Sequence, residues 1–138
     1  MQHNFRNLKI YKRAIEYSME IYKITKTFPK DEVYGLTSQT RRAAISTALN
    51  IAEGSGNSSE REFKRFLEIS LRSVYEVIAC LEIALKLEYI NEVEFKKLIA
   101  EADEIAAMIV GFNKSLTSVS SAKRNDLTSN SLIKGAIQ

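Results

Sequence analysis

Few residues of this 138-residue chain could carry out acid–base, nucleophilic or metal chemistry. It has one histidine, His3, and one cysteine, Cys80, so an internal disulfide and the usual histidine and cysteine metal sites are excluded. Cys80 falls on an apolar helical stripe and is expected to be a buried thiol. Glu53 and Glu76 could form a carboxylate pair, but Arg42 would more readily form an ion pair with one of them. We therefore expect no catalytic residues, no metal, no cofactor and no enzymatic activity.

The segment NIAEGSGNSSEREF, residues 50–63, contains the glycine spacing most suggestive of a phosphate loop. Phosphate loops need a preceding strand and a fuller glycine and lysine pattern, and both are missing here. Ser59 and Glu62 have the spacing of a capping box, which predicts that a helix begins near Glu60. We interpret GSG as the end of the preceding helix. The alternative is an anion bound by the free N–H groups of residues 59–62.

A second polar pattern lies on the helix predicted before this turn. Its residues recur at helical spacing on one face: Gln39, Arg42, Ser46, Asn50 and Glu53. With Ser73 and Glu76 of the following helix, we expect a structural network in which Arg42 and Asn50 pair with Glu53, Glu76 or Ser73 and fix the helix register. The alternative is a ligand surface.

Positive charge is concentrated at the start of the chain. The net charge is only +3, but residues 1–30 hold seven basic and two acidic residues. The candidate nucleic-acid contacts are Arg6, Lys9, Lys12, Arg13, Lys23 and Lys26. The alternative is a solvated face on which Glu16 and Glu20 neutralise much of this charge.

These residues must be positioned by helices, because 45% apolar content with one proline and five glycines leaves little turn chemistry for a sheet. Periodicity and capping predict helices over residues 5–28, 31–53 and 60–88, and a fourth from the Asn91 cap to Leu116. The expected fold is all-α, an antiparallel up-down-up-down four-helix bundle over residues 1–116. Residues 117–138 are polar and are expected to form a flexible tail.

Helices 1 and 3 each carry two apolar stripes. On helix 1 the second stripe comprises Leu8, Tyr11, Ile15 and Tyr22, and on helix 3 it comprises Phe66, Ile69, Cys80, Ile83 and Leu87 with Ser73 and Glu76 between them. Surplus apolar surface predicts a homo-oligomer in which helices 1 and 3 supply much of the interface, and the alternative is a single wide core face. No apolar run reaches the roughly 18 residues that cross a bilayer. We expect a cytoplasmic protein without a membrane partner.

Three segments resemble a bacterial family: FPKDEVYGLTSQTRRAAIS (28–46), NIAEGSGNSSEREFKRFLEIS (50–70) and LEYI (87–90). This family is named after reading frames in the intervening sequences of 23S ribosomal RNA genes and is often labelled a ribosomal protein. The resemblance implies a four-helix bundle assembled as a pentameric barrel. The matching positions are Arg42, Ser46, Asn50, Glu53, Gly54, Ser73 and Glu76. Asn57 stands where the family often has arginine, and Arg72 where it often has glycine.

The resemblance leaves two functions open. A related accessory protein of diversity-generating retroelements binds nucleic acid and a reverse transcriptase, which implies RNA or DNA binding, and the charge distribution of this chain places that contact on helix 1. The alternative is a protein-interaction scaffold or accessory subunit, with no nucleic-acid binding of its own, that binds itself or another protein such as a reverse transcriptase.

Overall fold

The computed structural model of the chain describes residues 4–57 and 59–136, with side chains as far as residue 116. This part of the chain is all-α and contains no strand. Its elements are a 3-10 turn at Phe5–Asn7, α1 (Lys9–Thr25), a 3-10 turn at Lys30–Glu32, α2 (Leu36–Ser55), α3 (Glu60–Lys86) and α4 (Glu92–Ala136). The predicted all-α class and the number of helices are confirmed.

Two helix starts are fixed by side-chain caps, as predicted. Ser59 Oγ accepts the N–H of Glu62 at 3.3 Å at the start of α3. At the start of α4, Asn91 Oδ1 accepts the N–H of Glu94 at 2.8 Å, and Glu94 Oε1 accepts the N–H of Asn91 at 3.0 Å. This reciprocal pair satisfies two N–H groups that a helix end leaves without intrahelical partners.

The start of α2 was predicted too early. We expected it at residue 31, but residues 30–32 form a separate 3-10 turn and the helix begins at Leu36. Gly35 precedes it with φ −115° and ψ −115°, a conformation that interrupts a helix. The Glu32 carboxylate, which precedes the helix, accepts the N–H of Leu36 at 3.3 Å and so acts as an N-terminal cap of α2.

The fourth helix continues past the predicted end at Leu116, since α4 spans Glu92–Ala136. The backbone of residues 117–136 is thus helical where we predicted a polar tail. Side chains of this stretch lie outside the described residues, as do residues 137 and 138. The domain boundary at 116 and the mobility of the tail stay predictions.

The GSG segment is a helix end. α2 runs through Gly54 to Ser55, and Gly56 caps it with right-handed dihedrals, φ −77° and ψ −8°. In the next helix, the N–H of Glu62 is taken by Ser59 Oγ and the N–H of Phe63 by the Ser59 carbonyl. Because Glu60 and Glu62 also occupy this first turn, the geometry disfavours the anion alternative.

The helices pack antiparallel around one core, and hydrogen bonds between them give the order. Ser18 Oγ donates to the Ala44 carbonyl across α1 and α2, and Ser70 Oγ donates to the Thr47 carbonyl across α2 and α3. Tyr17 closes the bundle by donating to the Leu98 carbonyl of α4. The core is formed mainly by apolar side chains that are at most 2% exposed, including Ile21, Ile51, Phe63, Leu67, Val74, Leu81, Ala102 and Ile105.

Small residues let α2 approach its neighbours closely. Ala43, Ala44, Thr47 and Ala48 are all buried, and α2 and α3 form the most extensive helix pair of the bundle. The described residues contain no helix that is long and apolar enough to span a membrane.

Candidate functional site

Two of the six basic residues proposed as nucleic-acid contacts are engaged in ion pairs. Arg13 Nη2 lies 2.9 Å from Glu104 Oε2 of α4, and Arg13 Nη1 lies 3.4 Å from Glu16 Oε2. Lys23 Nζ lies 3.5 Å from Glu20 Oε1. Part of the positive charge of α1 is therefore neutralised, as the alternative interpretation of this face required.

Arg13 behaves as a structural residue. Burial alone would lower its pKa, but the Glu104 carboxylate reverses this effect and the pKa of the guanidinium is raised on balance. Its Nε is buried without a hydrogen-bond partner among the described residues. The Arg13–Glu104 pair joins α1 to α4 and leaves Arg13 poorly placed to bind a phosphate.

The side chains of the other four basic residues are exposed and make no hydrogen bond or ion pair with described residues. Lys9 and Lys12 lie on the first turn of α1, Arg6 on the preceding 3-10 turn, and Lys26 just after the helix. An exposed ammonium or guanidinium group without a carboxylate partner can engage an anion at little desolvation cost. These four are the part of the predicted set that remains available.

The predicted polar network is only partly assembled. Ser46 Oγ and Ser73 Oγ lie 2.9 Å apart across α2 and α3, and Asn50 Nδ2 donates to Ser46 Oγ at 3.0 Å and to the Ser46 carbonyl at 2.8 Å. The predicted ion pair of Arg42 with Glu53 or Glu76 is not formed within the described chain. All three charged side chains are exposed instead, because water solvates a surface charge at least as well as a long side chain does.

An apolar groove runs along the outer side of α1. A cavity of about 390 Å³ is lined by Ile15, Ser18, Met19, Tyr22, Lys23 and Lys26. Ile15 is 39% exposed, Met19 59% and Tyr22 39%, and Leu49 on the outer side of α2 is 60% exposed. Of the second predicted stripe of α1, Leu8 and Tyr11 pack against the core, whereas Ile15 and Tyr22 lie largely outside it.

The stripes of α3 behave differently. Its other predicted stripe is buried throughout and comprises Phe63, Leu67, Ser70, Val74, Val77, Leu81 and Ala84. In the second stripe Ser73 and Cys80 are buried, whereas Ile83 and Leu87 are each 50% exposed. A single wide core face therefore accounts for only part of the apolar surface of α1 and α3.

Arg41 is a functional candidate that the sequence analysis missed. Its guanidinium carbon lies 4.5 Å from the centre of the Tyr22 ring, and its Nε donates to Thr25 Oγ1 at 2.8 Å. Its helical spacing could have identified it, because Arg41 lies four residues after Thr37 and three before Ala44, on the face of α2 that is buried. This spacing directs Arg41 toward α1 and distinguishes it from the outward Arg42.

The geometry offers little for catalysis. Burial raises the pKa of the Cys80 thiol, which keeps it protonated and weakly nucleophilic. His3 lies outside the described residues. Among those that are described, no group of three or more histidine, cysteine or acidic side chains could hold a metal ion.

The comparisons with known proteins match a region that includes parts of all four helices. The family model of the 23S rRNA-intervening sequence protein matches residues 6–111. A crystal structure of a protein of unknown function from the S23 ribosomal protein family of Bacteroides thetaiotaomicron is similar, with a TM-score of 0.71 and 22% identity over 76% of this chain and 98% of that chain. At this identity the likeness shows the fold alone. No match is found among curated proteins.

Proposed function

This chain belongs to the 23S rRNA-intervening sequence protein family. On that premise we propose that it is a non-catalytic helical bundle that assembles with copies of itself as a pentamer. The outer faces of α1 and α2 form the interface in this proposal. The observation that carries the proposal is the exposure of Ile15, Met19 and Leu49 between 39% and 60%. Ile15 and Met19 line the groove of α1, and Leu49 is a further exposed apolar side chain on α2. Exposed apolar side chains that form a surface patch are typical of an interface.

The groove has the composition expected of an interface. Its centre is apolar, with Ile15, Met19 and Tyr22, and its rim carries Lys23 and Lys26. An apolar centre with a charged rim is the usual organisation of a protein interface. Met19 suits this position because its flexible side chain adapts to the surface of a partner.

Light scattering of the purified protein, coupled to size exclusion, tests this proposal. We expect a mass close to five chains, and a clearly lower mass for Met19→Lys and Leu49→Lys. Val93→Lys is the matched control, because Val93 is 79% exposed but lies at the start of α4 outside the groove. A wild-type mass of one chain, or dissociation only in the Val93 variant, would contradict the proposal.

A second function, nucleic-acid binding, is favoured by the four unpaired basic residues Arg6, Lys9, Lys12 and Lys26. In a five-fold assembly each free charge would be repeated five times, and affinity for nucleic acid rises with the number of phosphates engaged. This proposal predicts micromolar binding to RNA or DNA that weakens steeply as salt is raised.

Fluorescence anisotropy with a structured RNA and a DNA duplex, over a salt series, tests the second function. The double variant Lys9→Gln and Lys12→Gln should lose most of the binding and reduce the salt slope by about 1 or 2. The double variant Lys86→Gln and Lys96→Gln removes the same charge from α3 and α4 and should bind as wild type. Absence of binding at low salt would leave the scaffold function, with a protein partner such as a reverse transcriptase.

A further inference from the structure

The corner between the end of α1 and the start of α2 holds a second cavity, which shares only Tyr22 with the apolar groove. Its volume is about 290 Å³, and it is lined by Tyr22, Val33, Thr37, Ser38, Arg41, Arg42 and Ile45. Two arginines, three hydroxyl-bearing residues and no acidic residue line it. We propose that this cavity, named the corner cavity, binds the phosphate group of a small phosphomonoester.

Arg41 is preorganised for such a ligand. Its Nε is held by Thr25 Oγ1 at 2.8 Å, its Nη2 lies 3.5 Å from the Tyr22 carbonyl, and its guanidinium lies over the Tyr22 ring. A guanidinium group has five N–H donors, so three remain for a ligand. Because its orientation is already fixed, binding costs little side-chain entropy.

Thr37 adds to the lining of the corner cavity a hydrogen-bond donor that has no partner among the described residues. The residue is only 6% exposed, and its hydroxyl group makes no hydrogen bond with any residue that the structure describes. The neighbouring Thr40, by contrast, donates to the Leu36 carbonyl at 2.6 Å. Arg13 Nε is the only fully buried side-chain nitrogen or oxygen without a partner among the described residues, so the Thr37 hydroxyl keeps contact with solvent in the corner cavity. It can therefore donate to a phosphate oxygen there.

The α2 N-terminus is not what binds the anion in this proposal. The Glu32 carboxylate already accepts the Leu36 N–H. The site consists of side chains of the first two turns of α2, at positions 37, 38, 41 and 42. Arg42 is exposed and without a partner among the described residues, so both of its Nη atoms are available.

The positive charge of the corner cavity favours a phosphomonoester over a phosphodiester. A phosphomonoester carries about −1.5 to −2 at neutral pH, whereas a phosphodiester carries one negative charge. Arg41 and Arg42 together supply two positive charges and match the monoester. The size of the corner cavity is near the lower limit of ligand pockets, about 300 Å³, which favours a small ligand.

Calorimetric titration of the full chain tests the corner cavity, with adenosine 5′-monophosphate as monoester and adenosine 3′,5′-cyclic monophosphate as diester. We expect binding of the monoester at least about tenfold tighter than the diester. Arg42→Gln should weaken monoester binding at least about tenfold. Arg72→Gln removes an exposed arginine of α3 and should leave it unchanged.

Thr37 gives the second test. Thr37→Val keeps the shape of the side chain but removes the hydroxyl group and should weaken monoester binding several-fold, whereas Thr37→Ser should retain it. The inference does not rest on the proposed assembly, because light scattering of the same variants reports the oligomer separately.

Three results would overturn the proposal. They are no binding of the monoester up to about 10 mM, equal binding of monoester and diester, and equal losses in the Arg42 and Arg72 variants. Binding confined to single-stranded RNA would also overturn it, because the arginines would then belong to a general nucleic-acid surface and not to a phosphomonoester site.

Discussion

Gly54 of α2 lies so close to Phe66 of α3 that a Cβ atom at residue 54 would come within 2.7 Å of Phe66 Cβ. The Phe63 carbonyl would also lie only 3.4 Å from this atom. The glycine of the NIAEG segment is therefore required by the packing of two helices, because it lies inside a regular helix where alanine would otherwise be preferred.

Gly54→Ala should lower the free energy of unfolding by about 1–3 kcal/mol, because inserting a methyl group forces α2 and α3 apart. Gly111→Ala is the matched control. Nothing lies within 4 Å of a Cβ atom at residue 111, so alanine should raise the free energy of unfolding by about 0.5–1 kcal/mol. Urea unfolding monitored by circular dichroism measures both, and equal effects of the two substitutions would contradict the packing argument.

Local features of the fold were predictable from the sequence and distant ones were not. The caps at Ser59 and Asn91 are read correctly because each depends on residues three positions apart. The Arg13–Glu104 pair spans 91 residues, and no helical spacing indicates it. The same limit applies to Arg41, whose partners Tyr22 and Thr25 lie on another helix.

The candidate site shows the same division. The sequence identified the polar line on α2, and Ser46, Asn50 and Ser73 do come together. It also predicted a partner for Arg42, but that side chain is exposed. Spacing places residues on a face, whereas the length and solvation of a charged side chain determine whether it pairs.

Glu88 ends α3 in a left-handed conformation, with φ 62°. The N–H of Tyr89 donates to the Ala84 carbonyl at 2.9 Å and that of Glu88 to the Leu85 carbonyl at 3.0 Å, the pattern of a Schellman motif, which usually has glycine at this position. Glu88→Gly should therefore raise the free energy of unfolding by about 1 kcal/mol, as measured by urea unfolding.

Glu82→Gly provides the control for Glu88→Gly. Glu82 is exposed within α3, and glycine there should lower the free energy of unfolding by about 0.5–1 kcal/mol. If Glu88→Gly also destabilised the protein, the left-handed conformation would not be the dominant cost at this position.

Tyr17 should make the stability depend on pH in the alkaline range. Burial raises the pKa of its phenol, and the nearby Glu101 and Asp103 add to the shift. The unfolded chain releases this proton near pH 10 while the folded chain keeps it. The contribution of Tyr17 is thus complete below about pH 10, and the free energy of unfolding falls above it by up to about 1.4 kcal/mol per pH unit.

Tyr17→Phe separates this effect from the titration of other groups. At neutral pH the variant should be about 1 kcal/mol less stable, because the hydrogen bond to the Leu98 carbonyl at 2.9 Å is lost. Urea unfolding between about pH 8 and pH 11 should show the difference from wild type shrinking as the pH rises. A difference that stays constant over this range would show that Tyr17 is not protected from ionisation.

The Ser46–Ser73 hydrogen bond should stabilise the protein more than the neighbouring charges do. Ser73 is only 7% exposed, and its hydroxyl lies 3.1 Å from the Ile69 carbonyl as well as 2.9 Å from Ser46 Oγ. Ser73→Ala should cost about 1 kcal/mol, because the Ser46 hydroxyl then loses its partner across the two helices. Arg42→Ala, which removes an exposed side chain, should change stability by less than about 0.5 kcal/mol.

A double-mutant cycle of Ser46→Ala and Ser73→Ala measures the coupling itself. Because Asn50 Nδ2 also donates to Ser46 Oγ, the two serines belong to one network, and their effects should deviate from additivity by about 0.5–1.5 kcal/mol. Additive effects, or an Arg42→Ala cost larger than that of Ser73→Ala, would move the structural role from the serine pair to the exposed arginine. The polar line of α2 would then fix the helix register through charge, as the sequence first suggested, and Arg42 would no longer be free for a ligand.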